Sequence, residues 1–156
     1  MDSRIRPLLA AACADQAEVL ALSVTRFIAA GYMTADAACW DAAHDCAEDI
    51  LGVVAGPRFV GTLAGVMRAI KAERAEPWSF MPASCCRITG DEADLVVALQ
   101  CARRHEHDAL REASLKVAGV AAPRLCAALE AAAAALDEVA PALALAHPAP
   151  SSRRIH

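Results

Sequence analysis

Residues 78–104 read WSFMPASCCRITGDEADLVVALQCARR. Their second half is helix from its first turn. Thr89 can accept a hydrogen bond from the amide of Glu92, and the Glu92 carboxylate can reach back to the amide of Thr89, a capping box. Asp91, Glu92 and Asp94 fall in the first turn, where the helix dipole favours negative charge, and Arg103 and Arg104 fall at the end that favours positive charge. From Leu95 to Ala102 only Gln100 is polar. A helix apolar on every side is buried on every side. The reading is therefore an all-α bundle of five or six helices around a central helix at 91–104, with no sheet. The first half of the stretch is a loop with Trp78, Phe80, Met81 and the adjacent pair Cys85 and Cys86.

Composition agrees with an all-α fold. Of the 156 residues, 57% are hydrophobic but only 4% aromatic, because alanine dominates. Alanine in quantity, with few β-branched residues, favours helix over strand. The length predicts one domain with a sizeable core, in no need of a disulfide or metal to fold. The formal net charge of -4 argues against a nucleic-acid partner. Arginine outnumbers lysine 13 to 2, as in GC-rich bacterial sequences. The short apolar run after Arg4 and Arg6 is smaller than the core of a signal peptide. No uncharged run is long and helical enough for a bilayer span. The expected location is cytoplasmic, and the seven cysteines are then reduced thiols.

Working outward, the spacing predicts a first helix over 3–30, stopped by Gly31, with a further N-cap at Asp15-x-x-Glu18 where it can break near Ala14. A second helix opens after Thr34 and closes at Gly56-Pro57. Its inner face is Trp40, Ala43, Ala47, Leu51 and Val54; its outer face is acidic. A third helix runs from Pro57 to the stop at Glu76-Pro77. Beyond the central helix come one over 108–118, with Glu112 and Lys116 as an i,i+4 pair, and one over 123–139 along Leu125, Leu129, Ala132, Leu136 and Val139. Pro141 should end the last helix. That gives one helical domain over 1–140 and a disordered Pro/Ala/Ser-rich tail over 141–156.

Three constellations carry possible chemistry. Asp41, His44 and Glu48 share one arc of a helix, but the dinuclear metal motif needs a matching helix and none exists. Cys85 and Cys86, with His105 or His107, offer soft ligands or a redox pair; adjacent cysteines do not have zinc spacing. No nucleophile–base–orienter set and no cofactor motif is present, so neither an enzyme nor a cofactor is expected. Large side chains on a loop flanked by arginine suit protein binding. The expected function is a non-catalytic interaction or regulatory role, as a monomer or homodimer. Its surface would comprise Trp78, Phe80, Met81, Arg87, Arg103, Arg104 and His105. A thiol- or metal-responsive protein is the alternative.

Overall fold

The computed structural model describes residues 7–146, all of whose regular structure is helical. In chain order the helices are α1 (Leu9–Ala12), α2 (Gln16–Thr34), α3 (Ala37–Glu73), α4 (Gly90–Arg103), α5 (His107–Ala118) and α6 (Pro123–Ala146). The expected all-α bundle is the fold, and several boundaries differ from expectation for local reasons.

The first helix does break near Ala14. The Asp15 carboxylate accepts from the Glu18 amide at 3.0 Å, and the Glu18 carboxylate accepts from the Ala14 amide at 2.6 Å. The Glu18 amide, an orphan donor in the first turn of α2, is thereby satisfied, and the chain just before the cap is tied back to that turn. Gly31 does not stop α2, which runs on to Thr34 and closes at Ala35 in the left-handed conformation (φ 55°). Gly31 serves packing instead: a Cβ there would come within 2.7 Å of the Trp40 indole nitrogen. Trp40 meets Tyr32 edge-on at 5.0 Å, and the Lys71 ammonium sits 4.1 Å from the Tyr32 ring centre. Asp36, not Thr34, caps α3, accepting from the Ala38 amide at 2.9 Å.

The expected break at Gly56-Pro57 falls one turn earlier, at Gly52, whose φ of 87° is open to glycine alone. The two arms of α3 meet so closely there that a Cβ on Gly56 would lie 2.8 Å from the Glu48 backbone. By length and composition α3 could cross a bilayer, with an 18-residue window of mean hydropathy 1.6. A third of that window is buried, and Phe59, Val60, Leu63, Val66, Met67 and Ile70 of α3 belong to the core.

Helices α4 and α6 both run through the core. Helix α6 packs against α2, α3, α4 and α5, and Leu125, Leu129, Ala132 and Leu136 have almost no exposed surface. Helix α4 keeps a solvent strip: Gly90 and Val97 are exposed. An exposed valine is ordinary, and the other apolar side chains of α4 are buried or half-buried, as expected of a helix in the core. Helix α6 also passes through Pro141, contrary to expectation. Pro141 lies on the exposed side, while Leu143 continues the Leu136–Val139 seam inward and is buried. Residues 147–156 of the expected tail lie outside the described residues.

Candidate functional site

The loop joining α3 to α4 is built around one buried arginine. Arg26 of α2 and Glu92 of α4 both have fully buried side chains. Arg26 Nε donates to Glu92 Oε1 at 2.6 Å and Nη2 to Oε2 at 3.1 Å. Its remaining donors reach the carbonyls of Cys85 at 2.7 Å, Pro82 at 3.3 Å and Arg87 at 2.6 Å. Glu92 in turn accepts from the amides of Thr89 at 2.8 Å and Met81 at 3.2 Å. The capping box is present as expected, and its glutamate doubles as the counter-ion of Arg26. A buried ion pair holds only when its other lone pairs and protons are satisfied, and here the loop backbone satisfies them.

A second clasp sits at the loop's start. Asp91 accepts from the Ser79 amide and hydroxyl, each at 2.8 Å, and from Arg74 at 3.1 Å. Burial alone would raise the Asp91 pKa; the Ser79 and Arg74 contacts outweigh it and hold the carboxyl below its ordinary value. At the loop's end, the Leu9 amide donates to the Cys86 carbonyl at 2.8 Å and the Ile88 amide to the Pro7 carbonyl at 3.1 Å.

These clasps decide what the loop presents. Trp78 and Phe80 stack at 6.0 Å and lie half-buried against the core. Met81, Cys85 and Arg87 are half-buried, and Cys86 is exposed. Arg103, expected on a binding surface, is instead an internal clamp: it donates to Asp15 at 2.8 Å, Glu18 at 2.9 Å and Asp137 at 2.7 Å, joining α2, α4 and α6. Arg104 and His105 are exposed, with Arg104 bonded to Glu106 at 2.7 Å. Lys116 pairs with Asp94 at 3.1 Å. The expected surface therefore splits into a core-capping part and an exposed corner.

The metal constellations are not assembled. Asp41 is exposed, and His44 and Glu48 are half-buried. Among the described residues no three His, Cys, Asp or Glu side chains converge as a metal site requires. Cys13, packed against the cluster of Leu9, Leu22, Ile88 and Val96, has a pKa pushed up to about 12 by burial and then by the charges of Glu18 and Asp15. A thiol so raised is a poor nucleophile at neutral pH.

Two surface features escaped the sequence reading. The chain bends by 116° between α5 and α6. Beside that bend lies a groove of about 630 Å³, floored by Leu115, Pro123, Cys126 and Ala127 and edged by Arg111 and Glu130. Second, the Gly52 corner of α3 exposes Ile50 by 51%, Val53 by 77% and Val54 by 72%. No protein-family model, curated protein or solved structure matches this chain.

Proposed function

We propose that the chain is a non-catalytic protein-binding domain that receives its partner in the groove between α5 and α6. The groove carries this reading. Its volume of about 630 Å³ lies in the range of ligand and side-chain pockets, its floor is aliphatic, and charges stand at its edge. An apolar floor with a charged margin suits aliphatic anchor residues from another polypeptide. The loop at 78–87 supports the domain by closing over the core. A photo-crosslinking residue at position 115, expressed in the native host, should join the chain to a polypeptide. The same residue at exposed position 138, away from the groove, should not. Absence of a polypeptide adduct at 115 would overturn the reading.

A thiol-responsive role is the second reading, favoured by the exposure of Cys86 beside half-buried Cys85. It makes a distinct prediction of labelling order, given below.

A further inference from the structure

We infer that the groove's occupant is a basic amphipathic helix of another polypeptide. The inference rests on the protein-binding reading above and names the partner's chemistry.

The groove presents negative charge. Its lining holds one arginine, Arg111, and two glutamates, Glu112 and Glu130. Arg111 is already neutralised by Asp108, one turn back on α5. The sequence pairs Glu112 with Lys116, but Lys116 reaches across to Asp94 of α4 at 3.1 Å. Among the described residues no side chain then pairs with Glu112. Glu130 meets His107 at 3.4 Å, a contact that carries charge only when the imidazole is protonated. Arg124 is near in sequence but lines a separate recess with Gly65 and Arg68. The groove therefore has a carboxylate without a fixed cation on each wall, Glu112 on α5 and Glu130 on α6. Margins of one sign select the opposite sign in a partner.

Between the two carboxylates the floor is apolar. Leu115, Pro123, Cys126 and Ala127 form it, and Leu115 keeps 49% of its surface exposed. A partner that covers this floor must bring aliphatic side chains, with basic ones on both sides of them.

The fold selects a helix as the form of that partner. Every regular element among the described residues is a helix, so no strand edge is open to an extended peptide. No aromatic side chain lines the groove, which disfavours a proline-rich segment, and its single arginine is engaged, which disfavours a phosphorylated one. A helix satisfies its own backbone and can lay aliphatic residues at i, i+3, i+4 and i+7 into a groove between helices. Lysine or arginine flanking that stripe then meets Glu112 on one side and Glu130 on the other.

The experiment is a fluorescence-anisotropy titration of the full chain with two labelled synthetic helices. One carries Leu at i, i+3, i+4 and i+7 and Lys elsewhere; the other has Glu in place of Lys. The variants are Glu112→Lys/Glu130→Lys and, away from the groove, Asp45→Lys/Asp49→Lys, each checked by circular dichroism. All four positions are exposed, and both pairs change the net charge of -4 equally, so general attraction of a basic peptide cancels between them. Glu112→Gln/Glu130→Gln against Asp45→Asn/Asp49→Asn stands in should a reversal misfold. The leucine–lysine helix should bind wild type about tenfold or more tighter than the leucine–glutamate helix does. The groove variant should bind the leucine–lysine helix about tenfold or more weaker than the α3 variant does. Leu115→Gln should also weaken that binding, since the floor loses an anchor contact. Equal binding by the two variants, equal binding of the two helices, or no binding of the leucine–lysine helix would each overturn the inference. If any of these occurs while position 115 crosslinks to a polypeptide, the basic helix falls and the protein-binding reading stands. If position 115 crosslinks to nothing, both fall.

Discussion

Arg26 is the only charged residue between Glu18 and Asp36, in a helix otherwise bound for the core. A lone guanidinium in such a run must find a carboxylate and carbonyl oxygens, because an unpaired buried charge is not tolerated. Arg26→Met should lower stability by about 3–5 kcal/mol, measured by urea unfolding, because Glu92 is left buried without its counter-ion. Arg26→Met combined with Glu92→Gln should recover only part of that loss, since the carbonyls of Pro82, Cys85 and Arg87 still lack their donor. Full recovery would mean that the ion pair matters and the loop clasp does not. The cysteines test the thiol reading at the same scale. Brief alkylation of the native protein, mapped by mass, should label exposed Cys86 before half-buried Cys39 and Cys46, and buried Cys101 last. Labelling of Cys86 only on unfolding would remove the thiol-responsive reading.

At the scale of elements, backbone conformation and burial make predictions that residue type alone reverses. Gly52→Ala should cost about 1–3 kcal/mol, since its φ of 87° lies where side chains are strained. Leu136→Ala should cost about 2–5 kcal/mol and at least as much as Leu99→Ala, because Leu136 has no exposed surface and Leu99 keeps 6%. Calorimetric midpoints of the two variants would show which helix is central. Periodicity and caps made most of the helices legible: the Thr89–Glu92 box, the Asp15–Glu18 cap and the Leu125–Leu136 seam all stand as read. What stayed illegible has one cause. Glycine and proline mark permission to break a helix, not the decision. Gly31 lies inside α2 because Trp40 needs the space, and Pro141 is carried because Leu143 continues the buried face. The groove was beyond sequence reading altogether, since Leu115 and Cys126 belong to different helices whose bend no local pattern sets.

At the scale of the whole molecule, the helices are joined by charges as well as by core packing, and those charges should set how stability responds to pH. Asp15 and Asp91 both lie below the ordinary carboxylate value of 3.8. Burial pushes each upward, but Arg103 and backbone amides hold Asp15 down, and Ser79 and Arg74 hold Asp91 down. The folded state therefore binds fewer protons than the unfolded one in this range. Their contribution is complete above the ordinary value and is lost as pH falls through the folded values. Cys13 acts at the other end. Its thiol ionises near 9.0 when unfolded and only at about 12 when folded, so the folded state keeps its proton longer. Its contribution is present below 9.0 and is lost as pH rises toward 12. Urea midpoints across pH should thus fall at both ends. Asp91→Asn should flatten the acid limb, and Cys13→Ala should flatten the alkaline limb between the two thiol values while leaving the acid limb unchanged. Parallel alkaline limbs for wild type and Cys13→Ala would show that unfolding does not release the Cys13 proton, and that the thiol is not buried against Leu9, Leu22, Ile88 and Val96.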